Sequence, residues 1–309
     1  MLTYTVYSEA GGVGKTTLAA NLAVAHRRAG LDVLVVPLDQ QDGNLSRLFG
    51  VDDRRADGDA DSIVHHMVGE PRGSFADLVR EVEGVDVVPE HNRLEDLAEI
   101  LSREQERAES LGEAFNVYGR LQHALVKADA ADRYDVVICD PPGTAGMHLY
   151  NALYATRNLV LPVEASAKGE ASVEGLEDLA TNFGDQLGID IGVLAAVPNG
   201  VKGTADQEAV LDDLSLTVPE TVRDRTSLFE GAWRSHCSAF EFVREHRRRR
   251  RDYEVETLAK LDGIARHLEA AGGVEAPSPP EPGVLDLDTD RDTDATEESE
   301  TDTETEVEA

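Results

Sequence analysis

Apolar positions along this chain come in blocks. Short runs rich in aliphatic and β-branched residues recur at Leu2 to Tyr7, Asp32 to Leu38, Val85 to Pro89, Tyr134 to Asp140, Asn158 to Val163 and Ile191 to Asn199. Runs with so little polar alternation predict strands covered on both faces, as in a parallel sheet. Between most of them the apolar period changes to three and four. From Thr16 to Ala29, Leu18, Leu22 and Ala25 share one side, and Gly30 stops the helix. Similar patterns predict helices over Leu94 to Arg107, Tyr118 to Ala128 and Val173 to Leu187, and a last one from Phe240 to Ala271. Strands alternating with helices predict an α/β fold: a doubly wound, mostly parallel sheet with helices on both faces.

After Gly272 and Gly273 the pattern ends. Residues 274–309 hold 14 Asp or Glu, one Arg and few large apolar groups. Such a segment cannot offset its ordering entropy by burial, so a disordered acidic tail is expected. The expected division is a folded domain over 1–271 and a tail over 272–309. Charge extends this picture beyond the tail. The chain carries 29 Lys and Arg against 61 Asp and Glu, net −32, and only five of the cations are lysine. An acidic surface poor in lysine fits multimolar salt, where self-repulsion is screened, and points to a halophilic archaeal source. Two cysteines, Cys139 and Cys237, make no disulfide framework or metal cluster. No basic segment followed by an apolar run opens the chain, and no run reaches membrane-spanning length. A cytoplasmic protein is expected.

The chemistry concentrates after the first strand. In Ala10-Gly11-Gly12-Val13-Gly14-Lys15-Thr16-Thr17, the glycines let the backbone curl with its N–H groups inward, and a helix follows at once. Lys15 is placed to reach phosphates and the Thr16 hydroxyl to reach Mg²⁺. The strict phosphate-loop pattern has glycine where this chain has Glu9, so the loop is a variant. Two acids fall at strand ends, where ligands collect in such sheets: Asp39 and Asp140. Asp140 suits a magnesium site and Asp39 the orientation of a water.

These stretches resemble the ParA/MinD family of deviant Walker ATPases, the ParA branch most closely. The matching segments are AGGVGKTT (Ala10 to Thr17), PLDQQDGN (Pro37 to Asn44) and CDPPG (Cys139 to Gly143), with weaker likeness reaching about residue 268. The resemblance implies a P-loop ATPase that binds ATP and Mg²⁺. Gly11, Gly12, Val13, Gly14, Lys15, Thr16 and Thr17 would hold phosphate, with Lys15 and Asp39 catalytic, and Thr16 and Asp140 on the metal. Asn199, Pro219 and Val222 would border the base. It further implies partitioning or positioning of a chromosome, plasmid or other cargo by nucleotide-gated association with non-specific DNA. An ATP-dependent homodimer and a stimulating partner of the centromere-binding type are implied with it, on a nucleoid-associated protein. Three departures stand out. The family's first loop lysine, which crosses the dimer to the partner's phosphates, is Ala10; the first Asp of its second motif is Pro37; and one residue is inserted between Asp39 and Gly43. Loss of that cation implies slow hydrolysis, or substitution by another such as Arg47.

One positive patch interrupts the acidic chain. Arg244 and the five arginines Arg247, Arg248, Arg249, Arg250 and Arg251 lie in REHRRRRR. On a helix they would face all round, with DNA phosphate as one partner and the chain's own carboxylates as the alternative. Two further readings stay open. One is an amidoligase of the dethiobiotin or cobyrinate synthetase kind, which shares the fold and lacks the extra lysine. The other is a nucleotide-binding scaffold of low turnover. No amphipathic C-terminal helix suggests a membrane cycle.

Overall fold

The computed structural model describes residues 1–41, 44–166, 175, 178, 180–186 and 188–281. Eight strands form one sheet in the order β3-β4-β2-β5-β1-β6-β7-β8. They are β1 (Leu2–Val6), β2 (Val33–Pro37), β3 (Arg80–Val82), β4 (Val85–Val87), β5 (Val136–Asp140), β6 (Asn158–Val163), β7 (Gly192–Val201) and β8 (Val222–Arg223). All neighbours are parallel except the hairpin pair β3 and β4. The two edge strands, β3 and β8, are too short to stand out in the sequence pattern.

Alternate residues of the central strands feed two cores, as the two-residue period of a strand requires. On β2, Val33 and Val35 join one core with Val136 and Ile138 of β5; Leu34 and Val36 join the other with Val137 and Cys139. Cys139 is thus a small core residue. The first core is closed by α1 (Lys15–Arg28) and by the C-terminal helix, and the second by α2 (Leu97–Leu111), α3 (Arg120–Lys127) and shorter turns. Other helices among the described residues are α4 (Met147–Thr156), α5 (Ala205–Asp212), α6 (Thr226–Ser235) and α7 (Asp252–Ala271).

Helix α7 packs along α1 through polar contacts within an apolar seam. His26 Nδ1 lies 2.6 Å from Glu269 Oε1, its other nitrogen meets the Tyr4 hydroxyl at 3.0 Å, and Arg28 Nε donates to Asp262 Oδ1 at 3.2 Å. Burial pushes the His26 pKa down, against the pull of Glu269. Residues 274–281 fold back over this seam: Val274 and Ala276 pack on the core, and Arg28 donates to the Pro280 carbonyl at 2.6 Å.

Two expectations need correction. The expected helix from Phe240 to Ala271 is broken: a short turn (Ala239–Glu241) and a π-helical turn (Phe242–His246) precede an irregular stretch, and α7 begins at Asp252. The strand expected to end at Asn199 runs on to Val201. Of the helix expected over 173–187, residues 180–186 are helical; the rest lies largely outside the described residues, as do Asp42, Gly43 and the tail from 282.

Candidate nucleotide site

Strand β1 lies at the centre of the sheet, between β5 and β6, and the chain's crossovers leave its two sides in opposite directions. The crevice at the C-terminal ends of such strands is where ligands settle in this architecture. Residues 7–14 turn across it. Gly12 and Gly14 sit at φ of 78° and 86°, a left-handed conformation that glycine adopts without strain. Gly14 is also the N-cap of α1, and no side chain caps that helix or adds an acid to its first turn. Its first N–H groups are therefore left for an external anion.

The loop is held from two sides. Asn199 Nδ2 donates to the Val13 carbonyl at 2.7 Å, and a Cβ on Gly14 would stand 2.3 Å from that nitrogen. On the other side Gly143 comes so close that a Cβ there would meet Lys15 Nζ at 3.0 Å and the Ser8 carbonyl at 3.2 Å. Lys15 curls over its own loop and donates to the Ala10 carbonyl at 3.3 Å. Burial draws its pKa down, while the carboxylates of Asp140 and Asp39 oppose the shift.

Those acids come from adjacent strands. Pro37 pairs with Asp140 across β2 and β5, so Asp39, two residues on, emerges beside it. Asp39 Oδ1 accepts the Gln41 N–H at 3.0 Å and its carbonyl accepts Asn44 Nδ2 at 2.6 Å, which ties both Gln41 and Asn44 to Asp39. Asp140 is 1% exposed, and its carboxyl is pushed up to about 8, by burial above all and then by Glu90 and Asp39, against the pull of the Thr16 hydroxyl and Lys15. Neither Asp140 oxygen receives a well-directed hydrogen bond. A buried carboxylate left so, with a threonine hydroxyl at its side, fits a hard divalent cation that keeps most of its water and takes one protein carboxylate.

A third acid went unread in the sequence. Glu90, just beyond β4, is 2% exposed; its Oε2 accepts the Ser46 N–H at 2.9 Å and its own N–H donates to Ser46 Oγ at 2.8 Å. The exchange fixes the short helix Leu45–Leu48 that follows Asn44. Burial raises the Glu90 carboxyl to about 7, with Ser46 and Arg55 holding it down and Asp39 adding to the rise. The available signal was the one that marked Asp39 and Asp140: an acid directly after a buried strand.

The three residues expected to border the base are placed differently from one another. Asn199 spends its amide nitrogen on the phosphate loop and its oxygen on the Gly200 N–H at 3.0 Å. Pro219 is half-buried in the segment before β8. The Val222 side chain is 1% exposed and belongs to the α1 core, so only its backbone can border a ligand.

The arginine run divides. Arg244 pairs with Glu241 and Glu245 at 2.7 and 3.1 Å. Arg247, in extended backbone, reaches the fully buried Glu254 at 2.7 Å and the Ser227 carbonyl at 3.2 Å. Arg248, Arg249 and Arg250 are exposed in the irregular stretch, and Arg251 donates to the Tyr253 hydroxyl at 2.7 Å. They do not encircle a helix. Through the contact of Arg251 with Tyr253 the run meets a depression lined by Lys202, Arg223, Asp224 and Arg225, with Arg225 stacked on the Tyr253 ring. These three cations were not singled out from the sequence, because they lie on separate elements.

A family model described as an AAA domain matches residues 1–186. The Thermus thermophilus chromosome-partitioning ATPase Soj is 30% identical over 197 residues, 62% of this chain and 68% of that protein. An uncharacterized Pseudomonas putida protein is 31% identical over 180 residues, 58% of this chain and 61% of its own length. The match thus spans about three fifths of the first curated relatives. Among solved structures, cobyrinic acid a,c-diamide synthase from Mycobacterium smegmatis, with a bound ATP analogue and magnesium, superposes at a TM-score of 0.67 with 22% identity, covering 90% of this chain and 98% of that one. At that identity the likeness shows the fold alone. With a phosphate loop at a central strand end, the chain is a P-loop protein of the doubly wound class. It belongs to the ParA/MinD family of P-loop ATPases.

Proposed function

We propose that this chain is a ParA-like ATPase that binds Mg-ATP at Gly11–Thr17 and uses its nucleotide state to gate association with DNA, partitioning or positioning a replicon or other cargo. The observation that carries the reading is the uncapped start of α1, with Lys15 influenced by two carboxylates, Asp39 and Asp140. The backbone of Gly11, Gly12, Val13 and Gly14, with Lys15, Thr16 and Thr17, holds the phosphates. Thr16 and Asp140 hold Mg²⁺, which when bound neutralises charge on the phosphate oxygens. Asp39 orients the attacking water, and Lys15 stabilises charge on the transferred group. Asn199, Pro219 and the Val222 backbone border the base.

Ala10 offers no cation to a partner's phosphates, so ATP binding is retained and turnover is slow. Arg248, Arg249, Arg250 and Arg251 meet DNA phosphate, while Arg244 and Arg247 serve the fold. The protein works in the cytoplasm on nucleoid DNA, as an ATP-dependent homodimer stimulated by a centromere-binding type of partner. Relatives in sequence that carry a named role include Soj proteins of Thermus thermophilus and Bacillus subtilis, which supports this reading over the amidoligase alternative.

The test is DNA co-sedimentation in high potassium salt with no nucleotide, ADP or ATP. ATP-dependent binding that is lost in Lys15→Ala, and lost when Arg248, Arg249 and Arg250 are all made Gln, is the expected result. DNA binding indifferent to nucleotide in the wild-type chain would overturn the gating.

A further inference from the structure

Thr17 is gripped from a distant part of the chain. The indole Nε1–H of Trp233, near the end of α6, donates to Thr17 Oγ1 at 2.9 Å across 216 residues of sequence. Six residues beyond Trp233, the Ala239 N–H donates to Asn21 Oδ1 at 2.8 Å, and Asn21 Nδ2 in turn donates to the Thr17 carbonyl at 2.7 Å. Side chain and backbone of one residue in the first turn of α1 are thus both tied to the segment 233–239. An indole nitrogen can only donate, so the Thr17 hydroxyl accepts from it. That leaves the hydroxyl proton free to point elsewhere. A helical threonine can also turn its hydroxyl back on the carbonyl four residues earlier. Here that carbonyl is Val13, already engaged by Asn199.

We propose that Trp233 is a positioning residue of the phosphate site: through its hydrogen bond it holds the Thr17 hydroxyl with the proton directed at a bound phosphate, and its indole reports occupancy of the site. This rests on the reading of Gly11–Thr17 as a nucleoside triphosphate site. A purely packing role for Trp233 would need the ring but not the N–H. The far end of α6 bears on the arginine segment, since Ser227 receives Arg247 and Gly231 packs directly under the Phe242 ring. The same helix therefore touches both the loop and the basic stretch.

Calorimetric titration with Mg-ATP, without DNA, is combined with the emission of Trp233, the chain's only tryptophan. Saturation shifts the wild-type emission. Trp233→Phe keeps an aromatic ring, loses the donor and weakens Mg-ATP about three- to tenfold, the scale of one hydrogen bond. Thr17→Ser keeps a hydroxyl and with it the spectral change; Thr17→Val loses the spectral change. Adding Trp233→Phe to Thr17→Val costs nothing further, because the bond is already gone. Emission that stays constant while calorimetry records saturation would overturn the inference and leave the nucleotide site standing, and so would losses that add fully in the double variant. Absence of Mg-ATP binding in the wild-type chain would bring down the site reading and this inference together.

Discussion

Glu90 and Asp140 show how burial at strand ends shapes the chemistry of single residues. Each is an acid that a buried strand carries into the interior, and each titrates high because water is excluded. For Glu90 the pH consequence can be signed. Its carboxyl titrates near 7 in the folded chain against 4.5 in the ordinary state, so the fold binds its proton more tightly than the unfolded chain does. Its contribution to stability is complete below about pH 4.5 and is lost as pH rises through about 7, on the order of 1–3 kcal/mol in all. Glu90→Gln retains an acceptor for the Ser46 N–H and carries no charge. The variant should lose that part of the decline in denaturation midpoint between pH 5 and 8, and at pH 8 be at least as stable as wild type. Denaturant melts at several pH values read this directly; an unchanged pH profile in the variant would remove Glu90 as the cause. Asp39 and Asp140 were legible in the sequence as acids after apolar runs. Glu90 carried the same signal and was passed over. The links from Asn199 to Val13 and from Trp233 to Thr17 span 186 and 216 residues and exist only once β7 and α6 have packed, so no local pattern announces them.

At the level of elements, the break before α7 is where pattern reading failed. Phe240, Phe242 and Val243, then Leu258 and Leu261, look like one long amphipathic helix, and arginine is a good helix former. Local propensity therefore signals no interruption. Tertiary contacts impose it: Phe242 fills the space over Gly231, Arg247 stacks on Phe242, and extended backbone carries Arg247 to Glu254. Glu254 is fully buried in the first turn of α7, so it cannot be left unpaired cheaply. Arg247→Ala should cost on the order of 3–5 kcal/mol, or force Glu254 to take up a proton. Arg248→Ala, Arg249→Ala and Arg250→Ala, being surface changes, should each stay within about 0.5 kcal/mol. Thermal melts of the four variants check this, and an Arg247 variant as stable as wild type would mean that the pair does not hold the turn. The main strands and most helices were legible because their apolar periods are imposed by burial on one face or two. The edge strands β3 and β8 were not, since two or three residues carry no period.

Across the whole molecule the balance of charge is set against the proposed partner. A chain at −32 is repelled by DNA except where its arginines cluster. Each phosphate contact releases counterions, so affinity should fall steeply and log-linearly with salt. Neutralising Arg248, Arg249 and Arg250 together should reduce the slope of log affinity against log salt by about three. Anisotropy titrations over a range of potassium chloride would measure it. An unchanged slope would mean that these side chains do not meet phosphate, and would shift attention to Lys202, Arg223 and Arg225 around Tyr253.

The irregular stretch that bears these arginines is also a place where the chain can be cut. Trypsin should reach Arg248, Arg249 and Arg250 ahead of arginines inside helices, because exposed irregular backbone fits a protease cleft. Helix α7 would not leave after such a nick, because His26 with Glu269 and Arg28 with Asp262 clasp it to α1 from within. The product is a two-piece particle that runs intact on a native gel and separates only in denaturant. Its phosphate loop and its C-terminal helix would then belong to different polypeptides, so the two could be isotopically labelled, exchanged or reassembled from separate preparations.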